Sequence, residues 1–277
     1  MTTELLAEFI AQHPKLMVLT GAGVSAASGI PTYRDDAGVW QSVTPIQHQE
    51  FLADKARRQR YWARSAVGWP NVAKATPNLA HQSLAKLEAA GFVVQLVTQN
   101  VDGLHQQAGH QRVLDLHGRI DQTVCLNCGL TEHRESVQKR LLSTNPQLVE
   151  RLTTRPIKPA PDGDAHLDDS WLMHVNVPHC LHCDGLLKPD VVFFGGTVSR
   201  HLVDRASESL RQADALLVVG SSLQVYSGFR FCKLAQSLAK PVIAINKGIT
   251  RADSMLQIKI DADCGQTLTA LTRQLRN

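Results

Sequence analysis

The length, composition and charge of the chain exclude several classes of protein. Its 277 residues suffice for one large domain with an insert, and 43% hydrophobic residues supply a substantial core. The net charge of +4 is spread along the chain without a basic stripe, which argues against a nucleic-acid partner. Because the N-terminal sequence has no secretory pattern and no apolar run could cross a bilayer, we expect a protein of the bacterial cytoplasm with no membrane partner.

The first half of the chain alternates amphipathic and apolar segments. Apolar residues recur at helical spacing over 4–13, and a short apolar strand is predicted over 15–20. The polar and aromatic segment 47–66 is predicted to be helical, and another helix opens at Thr76 and closes at Gly91. Further strands are predicted over residues 93–98 and 112–118.

The second half returns to the same alternation after a cysteine-bearing middle. Helices are predicted over 199–212 and 226–239, with a last helix through Leu268 and Leu275. Apolar strands are predicted over residues 190–195, 214–220, 241–246 and 257–261. Apolar strands that alternate with helices predict an α/β fold with a Rossmann-like parallel sheet covered on both faces.

A glycine-rich turn directly follows the first strand. Gly21, Gly23 and Ala26 fit the spacing G-x-G-x-x-[G/A], which lets a pyrophosphate approach the backbone at a helix N-terminus, although such a turn often binds nothing. Pro31 follows so soon that the next helix can have only one or two turns. The segment 29–40 is therefore predicted to be a loop over a cofactor, within which Arg34 is available to a phosphate or carboxylate.

Polar side chains gather where the next two strands end. Gln99, Asn100, Asp102 and His105 follow the strand 93–98, at the edge where open α/β sheets bind ligands. His117 ends the following strand, and an ordinary histidine pKa of about 6.5 suits a general base at neutral pH. Each residue alone could be an ordinary loop or structural residue, so the prediction depends on their being close together.

Three later segments offer further contacts. The residues after strands 214–220 and 241–246 carry backbone and hydroxyl donors suited to a phosphate or ribose, although plain turns have the same composition. The segment 191–196, VVFFGG, is either a core strand or an exposed backbone edge for an extended peptide.

Four cysteines form two matching pairs. Cys125 and Cys128, and Cys180 and Cys183, each enclose two residues, so both thiolates of a pair can face one metal. Four sulfur ligands favour a tetrahedral zinc, and a site with no open position is structural; a redox pair or an iron–sulfur cluster are the alternatives. We predict one zinc per chain in an inserted module.

These observations predict three parts of the chain and leave three classes of function. A nicotinamide oxidoreductase is disfavoured by the short first helix and the zinc module. A non-catalytic NAD sensor or zinc-knuckle binding protein stays open beside an NAD-consuming enzyme. The predicted parts are a Rossmann-like NAD-binding domain (1–44, 92–124 and 187–277), a helical insert (45–91) and a zinc-binding module (125–186).

Together, these motifs resemble the sirtuin family of NAD-dependent protein-lysine deacylases. The likeness is closest to class II sirtuins, the type that includes a mitochondrial lipoamidase, deacylase and ADP-ribosyltransferase. It covers nearly the whole chain, and RQRYWARSAVGWP (58–70), APDGD (160–164) and the long gap between cysteine pairs resemble class II in particular. The segments that carry the family resemblance are GAGVSAASGIPTYR (21–34), TQNVDGLH (98–105), LHG (116–118), the cysteine pairs, PDVVFFGG (189–196), GSSLQVYSG (220–228) and NKG (246–248).

The resemblance implies a reaction. NAD is consumed as a co-substrate, and the amide oxygen of an acylated lysine displaces nicotinamide from the ribose. His117 then acts as general base on the ribose hydroxyls, so that the acyl group moves to ADP-ribose and the lysine is released. Protein mono-ADP-ribosyl transfer or lipoamidase activity is the alternative main activity. The implied partners are acylated lysine side chains of proteins.

The resemblance also implies roles for individual residues. The catalytic residues are His117, Asn100 and Asp102, and the peptide strand lies beside Val192, Phe193 and Gly195. The zinc ligands are Cys125, Cys128, Cys180 and Cys183. The implied NAD contacts are Gly21, Ala22, Gly23, Ser25, Gly29, Ile30, Pro31, Tyr33, Arg34, Gln99, Asn100, Val101, Asp102, Gly220, Ser221, Ser222, Asn246, Lys247, Gly248 and Cys264.

Overall fold

The computed structural model describes residues 2–41, 45–154 and 174–275. The strands are β1 (Leu16–Thr20), β2 (Val93–Thr98), β3 (Val113–Asp115), β4 (Gly118–Cys125), β5 (Thr131–His133), β6 (Leu187–Val191), β7 (Ala215–Val219), β8 (Val242–Ile245) and β9 (Ile258–Ile260). The helices are α1 (Thr2–Gln12), α2 (His48–Ala53), α3 (Lys55–Lys74), α4 (Leu79–Ala89), α5 (Leu104–Gln107), α6 (Arg134–Ser143), α7 (Pro146–Thr154), α8 (Arg200–Gln212), α9 (Tyr226–Ser237) and α10 (Cys264–Gln274).

Six strands form the predicted parallel sheet. Their order is β3-β2-β1-β7-β8-β9, and every pair is parallel. Strands β2 and β3 lie on one side of β1, and β7 to β9 lie on the other. The strand order therefore reverses between β1 and β7, where a crevice opens at the carboxyl ends of the strands. The α/β fold and its Rossmann-like sheet are confirmed.

Each face of the sheet is covered by its own set of helices. Successive side chains of a strand point to opposite faces, so Val18 on β1 packs with α1, α4 and α10, whereas Leu19 packs with α8 and α9. All five residues of β1 are buried, as are all five of β7. This two-sided burial explains why these strands are continuous apolar runs in the sequence.

A second sheet is small and antiparallel, in the order β5-β4-β6. The strand predicted over 190–195 is wrong in both extent and place, because β6 ends at Val191 and pairs with β4, outside the parallel sheet. Beyond Val191 the chain turns towards α2, where the amide of His48 donates to the carbonyl of Phe194 over 2.8 Å. The strand predicted over 112–118 is also shorter, since β3 ends at Asp115 and His117 lies in the turn before β4.

The helical insert and the small sheet share a separate apolar core. Trp62 on α3 is fully buried there, and so is Arg134 at the start of α6. The guanidinium of Arg134 lies 5.1 Å from the Trp62 ring and 5.0 Å from the Trp69 ring, which ties α6 to α3. The division of the chain into three parts stays a prediction, and the motif APDGD at 160–164 lies outside the described residues. No helix in the described part of the chain has the length and apolar character of a bilayer span.

Candidate active site

A cavity of about 700 Å³ lies at the carboxyl ends of β1, β2 and β7. The structure brings most of the predicted site residues to its wall, and their roles stay predictions. Gly29, Pro31 and Gly248 are the predicted contacts that do not line it. The predicted residues that do line it are Gly21, Ala22, Gly23, Ser25, Ile30, Tyr33, Arg34, Gln99, Asn100, Val101, Asp102, His117, Val192, Phe193, Gly195, Gly220, Ser221, Ser222, Asn246, Lys247 and Cys264.

Glycines form a narrow backbone cradle where β1 and β7 end. The segment after β1 makes two short 3-10 turns, at Ala22–Val24 and Ala26–Ser28, as the early proline predicted. The amide of Gly23 donates to the carbonyl of Gly220 over 2.8 Å, and a Cβ on Gly23 would lie only 2.9 Å from that oxygen. Gly220 has φ +59°, and a Cβ there would overlap the amide of Val24. This close backbone approach fits the binding of a pyrophosphate.

Gly220→Ala is expected to weaken NAD binding at least tenfold. The left-handed conformation costs a residue with a Cβ about 1–2 kcal/mol, and the overlap with Val24 forces the cradle apart. Calorimetric titration with NAD measures the effect. Gly109→Ala is the matched control, because Gly109 has φ +98° but no atom within 4 Å of its Cβ position. Equal NAD affinities for Gly220→Ala and the unchanged protein would contradict the cradle.

Asn100 and Asp102 are held by hydrogen bonds to the loop after β1. The amide nitrogen of Asn100 donates to the Ser25 hydroxyl over 3.0 Å and to the Gly21 carbonyl over 3.1 Å. The Ser25 hydroxyl donates to a carboxylate oxygen of Asp102 over 2.7 Å, and the amide of Leu104 donates to the other oxygen. Burial raises the pKa of Asp102, and the bond from Ser25 opposes that rise. Both side chains are therefore fixed at the junction of β1 and β2.

His117 has one hydrogen-bond partner on each ring nitrogen. Its Nδ1 lies 2.8 Å from the carbonyl of Gln99 and its Nε2 lies 2.8 Å from the Ser227 hydroxyl. Because a carbonyl can only accept, Nδ1 carries the proton of the neutral ring and Nε2 holds a lone pair. Burial lowers the pKa of His117, and the Gln99 carbonyl opposes that effect. A neutral imidazole whose Nε2 carries a lone pair is the form that a general base requires.

Behind the cavity lies a buried cluster of three histidines. The predicted site placed His105 beside Gln99, but His105 points inwards, where its Nε2 lies 3.0 Å from the Thr20 hydroxyl. Its ring is 4.8 Å from that of His81 and 5.2 Å from that of His110. Burial lowers the pKa of all three, to about 4 for His81, with further lowering at His81 and His105 from neighbouring histidines. Burial therefore favours the neutral form of each ring, and at His110 the carboxylate of Glu88 opposes that effect.

This cluster predicts acid sensitivity. A histidine pKa that is lower in the folded than in the unfolded state leaves stability intact above pH 6.5 and removes it as the pH falls towards 4. His81 alone is expected to lower the free energy of unfolding by about 2 kcal/mol between pH 7 and pH 5. Urea unfolding at both pH values measures the loss, which His81→Gln should reduce. The exposed His201→Gln is the control, and an equal loss in both variants would contradict the cause.

The loop over the cavity has its own aromatic support. Tyr33 stacks on Trp40 with ring centroids 5.4 Å apart, and Phe194 packs edge-on against both. Arg34 lines the cavity, but its guanidinium donates to the Gly38 carbonyl over 2.8 Å and lies 5.1 Å from the Trp40 ring. These contacts hold Arg34 within its own loop, and its contact with a phosphate stays a prediction.

The predicted peptide edge is partly occupied by the helical insert. Val192, Phe193 and Gly195 line the cavity, but the Gly195 carbonyl accepts a hydrogen bond from the side chain of Gln49 over 3.1 Å. The Val192 amide donates to the His117 carbonyl over 2.8 Å. An extended peptide must therefore use the other backbone groups of this segment.

The late strand ends reach the cavity as well. The amide group of Gln99 donates to the Ser221 hydroxyl over 2.9 Å, which joins the ends of β2 and β7. Asn246 and Lys247 follow β8, and Cys264 begins α10 at the far side of the cavity. Gly248 instead packs against the backbone of Asp36, in the loop over the cavity.

The four cysteines converge as predicted. Their sulfur atoms all lie within 4.8 Å of one another, with 3.5 Å between Cys125 and Cys183 and 3.8 Å between Cys128 and Cys180. Four sulfurs bound to one tetrahedral zinc at its usual bond length stand about 3.8 Å apart. A Cβ on Gly185 would lie 2.9 Å from the Cys125 sulfur, so the backbone closes tightly around the site. The cluster fits one zinc, and its four sulfurs would fill all four coordination positions of the metal.

The cavity wall also contains residues outside the predicted set, and Tyr61, Ser227 and Trp40 are three of them. Tyr61 and Ser227 belong to motifs that carried the family likeness, and Trp40 belongs to the loop predicted over the cofactor. Tyr61 reaches the cavity from α3 and packs on Phe193 with ring centroids 5.0 Å apart. The sequence around Tyr61 does not indicate this contact, because the contact depends on how the helical insert packs against Phe193.

Comparison with known proteins places the chain in a family. The NAD-dependent protein deacetylase 2 of Bradyrhizobium diazoefficiens (strain USDA 110) is 47% identical over 98% of this chain and 98% of its own. The NAD-dependent protein deacetylase of Xanthomonas axonopodis pv. citri (strain 306) is 50% identical over 96% and 89%. A solved structure of Sir2 with a p53 peptide and NAD+ matches with a TM-score of 0.80 at 27% identity, over 100% of this chain and 99% of the other. The model of the Sir2 family matches residues 21–227, and this chain belongs to that family, the sirtuins.

Proposed function

We propose that the protein is an NAD-dependent protein-lysine deacetylase. The observation that carries this proposal is the state of His117, whose Nε2 holds a lone pair inside the same cavity as the glycine cradle. Relatives covering nearly the whole chain are NAD-dependent protein deacetylases, which supports the same activity. Their bacterial origin supports the bacterial cytoplasm as the proposed compartment.

The residues of the cavity fit NAD. Gly21, Gly23 and Gly220 leave room for the pyrophosphate, and Ser221 and Asn246 supply polar groups for the adenosine half. When bound, NAD supplies a ribose carbon that loses nicotinamide and hydroxyls that receive the acyl group. Asn100 and Asp102 are fixed at the end of β2, where they orient the ribose and the nicotinamide.

The side chains of the cavity divide the remaining work. His117 takes a proton at Nε2 from a ribose hydroxyl, and the Gln99 carbonyl holds Nδ1–H throughout, which stabilises the imidazolium that forms. Phe193, Tyr61 and Val192 form an apolar wall that suits the methylene chain of an acylated lysine and excludes water from it.

The zinc in this proposal is structural. Cys125, Cys128, Cys180 and Cys183 would supply all four ligands, so no coordination position is left for a water or a substrate. The zinc would hold β4 and the turn before β6 together, and β6 leads directly to the cavity wall at Val192. Its contribution to function is thus through the fold.

The finer assignment is a class II sirtuin with deacylase activity beyond acetyl groups. The resemblance of the segment RQRYWARSAVGWP to class II sequences supports it, and this segment forms most of α3 and includes the cavity residue Tyr61. Lipoamidase activity and protein mono-ADP-ribosyl transfer are the competing main activities. Deacylation, lipoamidase activity and mono-ADP-ribosyl transfer all release nicotinamide. They differ in the group that becomes attached to the ADP-ribose.

Nicotinamide release tests the proposed function. The protein is incubated with NAD and either an acetyl-lysine peptide or the same peptide with free lysine. We expect nicotinamide only with the acetylated peptide, in equal amount to the deacetylated product. Appearance of NADH absorbance would instead indicate an oxidoreductase, and NAD binding without any turnover would indicate a sensor. A panel of acetyl, butyryl, lipoyl and methylglutaryl peptides then ranks the acyl groups.

A further inference from the structure

Ser227 is the only side chain among the described residues that hydrogen-bonds to Nε2 of His117. It lies in the first turn of α9, and its hydroxyl oxygen is 2.8 Å from that nitrogen. Since the proton of the neutral ring is on Nδ1, the hydroxyl of Ser227 donates and Nε2 accepts. The hydroxyl therefore occupies the lone pair that must receive a proton from the substrate.

The next residue of α9 supports the other side of the imidazole. A Cβ on Gly228 would overlap the side-chain oxygen of Gln99, so the backbone of α9 packs directly against Gln99. The carbonyl of Gln99 in turn accepts the proton of Nδ1. One turn of α9 thus contacts His117 directly through Ser227 and indirectly through Gly228 and Gln99.

In the described part of the chain, no ion pair to His117 competes with these contacts. The elements around His117 carry Asp102 after β2, Arg119 on β4, Asp190 on β6 and Arg230 on α9. Within the described ranges, none of them hydrogen-bonds or ion-pairs with His117. Hydrogen bonds with two neutral groups, the Gln99 carbonyl and the Ser227 hydroxyl, therefore set the orientation of the ring.

We propose that Ser227 is a positioning residue for the general base His117. In the neutral state its hydroxyl donates to Nε2 and keeps the ring turned into the cavity. For proton transfer, the Ser227 hydroxyl first rotates so that its hydrogen leaves the Nε2 lone pair, and Nε2 then takes the proton of a ribose hydroxyl, whose oxygen keeps the electron pair of the broken O–H bond. The Ser227 oxygen accepts the new N–H, while Ser227 keeps its own proton. This proposal rests on the proposed function, in which His117 is the base.

The hydrogen bond between Ser227 and Nε2 differs in strength between the neutral and the protonated forms of His117. A hydrogen bond from the charged imidazolium is stronger than one to the neutral ring, so Ser227 favours the protonated form. Removing the hydroxyl should therefore lower the pKa of His117 further and make proton uptake harder. A residue with only a packing role would leave that pKa unchanged.

Ser227→Ala tests the proposal, with Ser227→Thr as the variant that keeps the hydroxyl. Ser237→Ala is the control, because Ser237 lies in the last turn of the same helix and is exposed. We expect Ser227→Ala to lower kcat about tenfold with little change in KM, and to move the acid limb of the pH profile to lower pH. Ser227→Thr should restore both, and Ser237→Ala should change neither.

Nitrogen NMR of the His117 ring in the ligand-free protein gives a readout without turnover. We expect its pKa to fall in Ser227→Ala by up to about one unit. An unchanged pKa and kcat in Ser227→Ala would overturn the positioning role, even with full deacylase activity. If the wild-type protein has no activity at all, the proposed function fails. The NMR titration then still decides whether Ser227 affects the pKa of His117.

Discussion

Replacing His117 by alanine is expected to reduce deacylation by about 10²–10⁴-fold, the usual contribution of a general base. Among the described residues, His117 is the only histidine that lines the cavity, so the change removes the imidazole acceptor Nε2. His117 is half-buried, and its loss leaves the glycine cradle intact. NAD affinity and the melting temperature should therefore change little.

The kinetics of this variant separate two steps. Nicotinamide departs before the base acts, so a first turnover of nicotinamide release should survive better than formation of the free lysine peptide. His201→Ala, on the exposed face of α8, is the control and should keep full activity. A fully active His117→Ala protein would exclude His117 as the base and return the search to other cavity residues.

Replacing Cys128 by alanine is expected to abolish stoichiometric zinc binding and to lower the free energy of unfolding by more than about 4 kcal/mol. Cys128 is the informative ligand because it is exposed, so its loss creates no internal cavity. Any large effect must then come from the metal. The small sheet and the shared core with α3 and α6 should loosen together.

Zinc content by mass spectrometry and unfolding in urea measure this effect. Leu181→Ala is the control, since Leu181 lies between Cys180 and Cys183 but is 79% exposed and offers no ligand. It should keep one zinc per chain. Unchanged zinc content and stability in Cys128→Ala would show that the four sulfurs do not form a structural metal site.

The central strands and the metal cluster are the parts of the structure that local sequence determines most strongly. Strands β1, β2 and β7 are buried on both faces and flanked by turns, so their apolar runs admit few other structures. The cysteine spacing similarly constrains two thiolates to one side of each turn. Both predictions start from local patterns, an apolar run between turns and the two-residue spacing of each cysteine pair, and the structure contains both the buried strands and the four-cysteine cluster.

The errors arose where packing between distant segments decides the outcome. Residues 190–195 are apolar enough for a core strand, yet only the pairing with β4 and the contact with α2 determine that the strand ends at Val191. His105 and Asp102 lie in one polar segment, but α5 begins between them and turns His105 inwards. Ser227 meets His117 because α9 packs against the end of β2, over a separation of 110 residues.

The destination of the acyl group is the most direct test of NAD-dependent deacetylation by this protein. The protein is incubated with NAD and an acetyl-lysine peptide, and mass spectrometry identifies every product that contains acetyl or ADP-ribose. We expect acetyl-ADP-ribose, nicotinamide and deacetylated peptide in equal amounts. Free acetate without NAD consumption, or ADP-ribose attached to protein with the acetyl group still on the peptide, would contradict it.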